Sequence, residues 1–346
     1  MRVLHLFGDW KWTGPAEPTL DLVQELRALD VHADLACMEA PPDASGSLPA
    51  RARERGIVPL HIAGLRRSLF SAIADIPRVA AALPGYDLLH VHFSHDHFVG
   101  GRAARKVGGI KVVRTNHKGV PLRGLGSGYL LKRLTDGYVT YVKEDVERSF
   151  LIDPAMRLEK FAPREVPRQG FTVGVVARMQ RHRRFDVLLQ GIKLAKIPDL
   201  RVLIVGRGTH MEEVAVEPAR KLGLSNVTFT GYLGDKFLDT LASFDALLFL
   251  VPGSDGTCRA IREAMCMGKA VIGARRGLIP DIVEDGRTGL VIDDTPENIA
   301  RAVEKLAADR AACAAMGKAG RSKALHRYDI HRQAEAMKDI YAEVLR

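Results

Sequence analysis

Short apolar runs alternate along this chain with longer segments whose apolar residues recur every three to four positions. The short runs are bounded by Gly, Pro, Asp and Asn and read as strands at 2–7, 32–38, 58–62, 88–92, 111–115 and 138–142. Between them the helical period predicts helices, notably at 17–29, 70–83 and 97–106. A Pro-bearing stretch, FAPREVPRQG at 161–170, has the composition of a linker. A fresh series follows it, with strands predicted at 172–177, 201–205, 227–230, 246–251, 270–272 and 289–292. Its helices are predicted at 185–195, 211–222, 236–243, 257–267 and 296–308, and one more amphipathic helix at 330–345 closes the chain. Strands alternating with helices in this way imply parallel sheets covered by crossover helices, here in two Rossmann-like domains. There is no short-period repeat and no low-complexity tract.

The bulk numbers agree with that picture and narrow the partners. At 346 residues the chain exceeds an ordinary single core, and 47% apolar with 27% charged residues is globular composition. The formal net charge of +10 favours anionic partners, such as nucleotide phosphates or an acidic membrane face. Lysines and arginines are spread along the whole chain, with no dense basic tail and no RNA-binding signature, so nucleic acid is not expected. Cys37, Cys258, Cys266 and Cys313 form no CxxC pair and no disulfide framework, which fits the cytoplasm. The opening MRVLHLF reads as a first strand and not as a signal peptide, and no run is long enough to span a bilayer. A soluble cytoplasmic protein is expected, with peripheral contact at the inner face of the membrane left open.

The chemistry concentrates in VPGSDGTCRAIREAMCMGKAVIG, residues 251–273. A buried strand runs into Pro-Gly-Ser-Asp-Gly, which turns the chain, and a helix predicted from Thr257 ends near Met267 before Gly268. Ligands of open α/β sheets bind at the carboxyl ends of strands, where helix N-termini aim backbone N–H groups at anions. Asp255 in the turn and Glu263, eight residues on, add two carboxylates to that strand end. The combination suits a ligand carrying both hydroxyls and phosphate, as a nucleotide-sugar does. Asp255 equally suits a cap on the helix that follows.

Two other constellations point elsewhere. Val205-Gly206-Arg207-Gly208 is a GxG after a strand, but Met211 stands where a dinucleotide fingerprint needs its third glycine. The cluster HVHFSHDH holds His90, His92, His95 and His97, and the first two share one strand face. No carboxylate or cysteine completes a recognised ligand set around them, so no metal is expected. The segment GVPLRGLGSG, residues 119–128, reads as a glycine-rich loop flanked by Lys118, Arg123, Lys132 and Arg133. That pattern suits either a membrane-surface contact or a solvated face, as do Arg66 and Arg67.

Five segments, VARMQRHRRFDVLL, LIVGRG, VTFTGYLGD, SDGTCRAIREAMCMGKAVIG and LIPDIVEDGRTGLVI, occur in this order. Together they resemble the donor-binding domain of the retaining glycosyltransferases of family 4, clearly over 171–293 and more weakly elsewhere. The resemblance implies the GT-B fold, an α/β architecture of two Rossmann-like domains whose parallel sheets face an interdomain cleft. It implies an acceptor-binding domain at 1–165, a nucleotide-sugar domain at 166–328 and a C-terminal helix, 329–346, packing back on the first domain.

In such enzymes an arginine and a lysine hold the donor diphosphate; here Arg178 matches the first, and Arg183 and Arg184 stand where the lysine is usual. Arginine can bind phosphate as a bidentate fork. Glu263 matches the glutamate that binds ribose hydroxyls. Asp255 replaces the glutamate beside the donor sugar and is one methylene shorter. Gly256, Thr257 and Cys258 would offer backbone N–H groups to phosphate or sugar. Gly206, Tyr232 and Leu233 would border the nucleotide. Gly14 lies in a divergent glycine-bearing loop beside donor and acceptor, and His117 matches a histidine near the donor sugar, where it would donate a hydrogen bond or orient the acceptor. The resemblance implies a UDP- or GDP-sugar donor, a carbohydrate or lipid-linked acceptor hydroxyl, retention of configuration, and neither metal nor cofactor, the nucleotide-sugar being a co-substrate. A nucleotide-sugar epimerase of the same fold and a non-catalytic nucleotide-sugar binder are the alternatives.

Overall fold

A computed structural model describes the chain except residues 45, 63–68, 168 and 254–255, and for residues 69–70 it describes the backbone alone. Among the described residues the chain forms two compact units, Met1–Arg157 with Tyr328–Arg346, and Leu158–Arg327.

The first unit is built on strands β1 (Arg2–Phe7), β2 (His32–Cys37), β3 (Leu60–His61), β4 (Leu88–Val91), β5 (Lys111–Asn116), β6 (Gly137–Thr140) and β7 (Ser149–Leu151). They pair in parallel in the order β3-β2-β1-β4-β5-β6-β7. Its helices are α1 (Ala16–Ala28), α2 (Leu48–Glu54), α3 (Leu69–Ala82), α4 (Ser94–Val107) and α5 (Leu125–Leu134). One sheet face buries Val99, Ala103 and Val79 of α4 and α3; the other buries Leu20, Val23 and Leu26 of α1. Full burial of each such side chain contributes roughly 1.5–3 kcal/mol.

The second unit carries β8 (Phe171–Val176), β9 (Leu200–Val205), β10 (Val227–Gly231), β11 (Ala246–Phe249), β12 (Ala270–Ala274) and β13 (Gly289–Ile292), in the order β10-β9-β8-β11-β12-β13. Its helices are α6 (Phe185–Leu194), α7 (Glu217–Lys221), α8 (Phe237–Ala242), α9 (Arg259–Cys266), α10 (Ile279–Ile282), α11 (Pro296–Ala308) and α12 (Arg310–Arg327). The last helix, α13 (Ile330–Leu345), buries Ile330, Ala334, Met337, Tyr341 and Val344 in the first unit, beside α1 and β5. No helix among the described residues is long and apolar enough to cross a membrane.

Several elements differ from the sequence expectation for physical reasons. The helix expected at 211–222 splits into a π turn, Glu212–Val216, and the short α7. Pro218 lacks an N–H and its ring crowds the carbonyl four residues back, so a regular ladder cannot cross it. The stretch read as a glycine-rich loop contains the start of α5: Gly124 turns the chain at φ +101, while Gly126 and Gly128 face open space. Helix α12 escapes a periodicity search because its buried stripe is made of Cys313, Gly317, Gly320 and Ala324. A Cβ on Gly317 would lie 2.1 Å from the Gly268 carbonyl oxygen, so this contact is backbone against backbone. Strand β7 is only three residues long and half-exposed, too short to register as an apolar run.

Candidate functional site

In the second unit the order of strands reverses between β8 and β11, and such a switch point opens a crevice beyond the strand ends. A cavity of about 620 Å³ lies there. Val176 and Ala177 border it from the end of β8, Val205 and Gly206 from β9, Gly231 from β10 and Phe249 from β11. The glycines of the GxG turn serve this packing. A Cβ on Gly206 would meet the Ala177 carbonyl oxygen at 2.3 Å, and one on Gly208 the Met179 carbonyl oxygen at 2.0 Å. The loops after β8 and β9 therefore touch backbone to backbone.

Helix α9 closes one side. It starts two residues later than expected because Cys258 takes left-handed backbone, φ 53 and ψ 42, placing Thr257 and Cys258 ahead of the first helical residue. Non-glycine residues hold that conformation at a cost of about 1–3 kcal/mol, which concentrates at functional positions. Cys258 is buried and on the cavity wall, and its side chain gives the helix no cap. Gly256, φ +71, donates its N–H to the Gly253 carbonyl at 2.9 Å. Asp255 lies outside the described residues.

Among the described residues, four arginines line the cavity, Arg178, Arg183, Arg207 and Arg259, against one carboxylate, Glu263. Arg178 is exposed just beyond β8. Arg183 is anchored by a bond from Nη1 to the Val251 carbonyl at 2.5 Å. Its neighbour turns away: Arg184 has left-handed backbone and sits 3.5 Å from the Asp294 carboxylate, outside the cavity lining. The geometry thus separates two arginines that the sequence left equivalent. Glu263 is nearly buried and takes a 2.7 Å bond at Oε1 from Arg259, one turn earlier. Tyr232 and Leu233 form the rim, with the exposed Tyr232 ring under the Arg207 guanidinium at 5.2 Å. Sequence reasoning missed Arg207 and Arg259. The signals were there, one inside the GxG turn and one at i, i+4 from Glu263.

Gly14 and His117 belong to the first unit. Gly14 is exposed in the loop before α1, where Pro15 takes the capping position. His117 follows β5 and joins a buried polar cluster different from the one expected. His95 approaches Asp75 and His97 bonds Thr135, so neither faces His90 and His92. Their place is taken by His5, which the β1–β4 register sets directly opposite His90. Nitrogens of His5, His90 and His92 lie within 4.8 Å of one another, close enough for a metal. Both nitrogens of each ring, however, already face hydrogen-bond partners. Burial pulls His5 down to about 3 and His90 and His92 well below the usual imidazole range. His117 falls to about 3, through burial first and then the Arg114 charge. All four rings are therefore neutral at pH 7.

Two family models match the chain. The model for glycosyl transferases group 1 covers residues 156–323, and that for glycosyltransferase family 4 covers 14–151. A D-inositol 3-phosphate glycosyltransferase of Corynebacterium kroppenstedtii is 28% identical over 239 residues, 61% of this chain and 51% of that protein. A GDP-mannose-dependent alpha-(1-6)-phosphatidylinositol monomannoside mannosyltransferase of Mycolicibacterium smegmatis is 30% identical over 195 residues, 50% of this chain and 51% of that one. The matched part thus spans about half the length of these relatives. Among solved structures, a glycosyltransferase from Rickettsia africae superposes with a TM-score of 0.85 at 15% identity, over 100% of this chain and 98% of that one. Anabaena Alr3699/HepE in complex with UDP superposes with a TM-score of 0.84 at 16% identity, over 99% and 100%. At such identities the likeness shows the fold, the GT-B pair of Rossmann-like units.

Proposed function

The chain belongs to the glycosyltransferases of family 4, and from that membership we propose that it moves a sugar from a UDP- or GDP-sugar to an acceptor hydroxyl with retention of configuration. The observation that carries the reading is the cavity's charge: among the described residues, four arginines and one carboxylate line it beside the start of α9, at the strand-end switch point. A diphosphate that becomes a leaving group gathers negative charge as the glycosidic bond breaks. Fixed guanidinium groups and helix N–H groups stabilise that charge without reorganising. In this reading Arg178 and Arg183 hold the diphosphate and Glu263 the ribose hydroxyls. Gly206, Tyr232 and Leu233 border the nucleoside, while Thr257 and Cys258 supply backbone donors; the Gly256 N–H, also expected to donate, is taken by the Gly253 carbonyl. Asp255 keeps its proposed place beside the donor sugar. Arg184, tied to Asp294, shapes the loop instead of touching the donor. No metal is invoked, because the arginines supply the positive charge.

We propose a carbohydrate or lipid-linked acceptor, handled by the first unit. Helix α5 supports a membrane-borne one: Leu125 is 97% exposed, with Tyr129 also exposed and Lys118, Arg123, Lys132 and Arg133 around it. Such a face suits an anionic bilayer. The reaction is tested by following donor breakdown with ¹H NMR, without acceptor and with a chelator present. Slow release of sugar, first seen in the donor's own anomeric form, supports retention without metal. Release of the opposite anomer, or dependence on added metal, refutes the mechanism. Conversion of the donor into an epimer, or no turnover with any acceptor, refutes glycosyl transfer.

A further inference from the structure

The function proposed above assigns Arg178, Arg183 and Glu263 and leaves Arg259, on the same cavity wall, without a role. Arg259 is the first residue of α9, and its Nε donates to Glu263 Oε1 at 2.7 Å. Helix stability does not account for a cation there. The start of a helix carries partial positive charge, which favours acids in the first turn, yet α9 opens on Arg259 and has no acidic residue in that turn. The order of the pair is also the weaker one, since an i, i+4 ion pair stabilises a helix better when the acid comes before the base. The guanidinium is 38% exposed, so solvent screens most of the attraction.

What the pair changes is Glu263. An unrestrained glutamate side chain samples many rotamers, and a ligand that needs one of them must order it on binding. The Arg259 bond fixes one carboxylate oxygen and leaves Oε2, which bonds no described residue, to accept from a ligand. We infer that Arg259 is a positioning residue for the nucleoside: it sets the Glu263 carboxylate before the ligand arrives, so that the ribose hydroxyls meet an acceptor already in place. Ribose stands at Glu263 only under the function proposed above, and the assignment rests on that reading. The cavity's cations then divide by task. Arg178 and Arg183 answer the diphosphate directly, whereas Arg259 acts through Glu263.

The decisive experiment is a double-mutant cycle, read by isothermal titration with UDP and GDP on the full chain carrying Arg259→Met, Glu263→Met or both. Ordering one flexible side chain on binding costs roughly 2- to 12-fold in Kd, and Arg259→Met should weaken the nucleotide that binds by about that factor. With Glu263→Met already present, the same change should cost clearly less, because the carboxylate that Arg259 holds is gone. Arg259→Lys keeps a charged donor and should recover affinity only where Glu263 remains. The Tm of Arg259→Met without ligand should stay within about 2 °C of the unaltered protein, as an exposed pair allows. A drop of more than about 5 °C makes Arg259 a scaffold residue and overturns the inference. An equal or larger loss of affinity in the Glu263→Met background puts Arg259 on the ligand itself and overturns the inference alone, leaving the proposed function standing. If neither UDP nor GDP binds the unaltered protein, the proposed function fails and the assignment of Arg259 falls with it.

Discussion

Replacing Glu263 with glutamine isolates what its charge does. The side chain keeps its volume on the wall of the second unit's cavity, but the carboxylate that faces Arg259 at 2.7 Å becomes an amide. A hydrogen bond to a charged acceptor contributes about 1.5–3 kcal/mol and a neutral one about 0.5–1.5 kcal/mol. With two ribose hydroxyls on the carboxylate, the substitution should cost about 2–3 kcal/mol of binding, roughly 30- to 150-fold in Kd. Folding should suffer far less. The Arg259 partner is 38% exposed and the pair is an i, i+4 contact, worth about 0.5 kcal/mol after solvent screening. That corresponds to about 1–2 °C in Tm. Isothermal titration with UDP and GDP, beside thermal melting without ligand, reads both quantities. Affinity within threefold of the unaltered protein removes Glu263 from the nucleoside site. A Tm drop of more than about 5 °C makes it a scaffold residue instead.

Three further outcomes follow from particular contacts. Arg178→Ala removes an exposed cation at the end of β8, so turnover should fall about 100- to 1,000-fold with Tm within about 2 °C; near-normal turnover takes Arg178 out of the chemistry. Gly317→Ala drives a methyl toward the Gly268 carbonyl, 2.1 Å from the ideal Cβ, and should cost about 1–3 kcal/mol as a lower urea midpoint; an unchanged midpoint refutes the backbone contact of α12. Buried His5 and His97 sit at about 3 in the fold, with His90 and His92 also well depressed, so the unfolded chain takes up these protons first. Stability should be complete above about pH 6.5 and decline below it, by up to about 1.4 kcal/mol per histidine per pH unit on the way to pH 3. Urea midpoints at pH 7.5 and 5.5 that coincide would refute the neutral cluster.

The two-unit α/β architecture was legible because most strands are continuous apolar runs, and β1 and β13 match the sequence expectation residue for residue. What escaped had no apolar period to read. Helix α12 packs through glycines and a small cysteine, and α5 opens on residues whose composition is that of a loop. Glycine inside a helix costs about 1 kcal/mol against alanine, so local propensity argued against both, and tertiary contact overrode it. At the site, Arg178 and Glu263 were legible through a familiar motif order, whereas the difference between Arg183 and Arg184 is set by the left-handed turn at Arg184. His5 could not be found from spacing, since only the β1–β4 pairing brings it beside His90. Asp255, central to the sequence argument, falls outside the described residues.

The claim on which the account depends is that the second unit's cavity holds a nucleoside diphosphate, and a thermal-shift panel of UDP, GDP and their sugars tests it most directly. A ligand that binds only the folded state raises Tm by mass action, reaching about 2.7 kcal/mol at a hundred times Kd. The account predicts that one nucleotide series stabilises the protein in a concentration-dependent way and that Arg183→Ala weakens the effect. No stabilisation by any of them, or a shift that Arg183→Ala leaves intact, would contradict it.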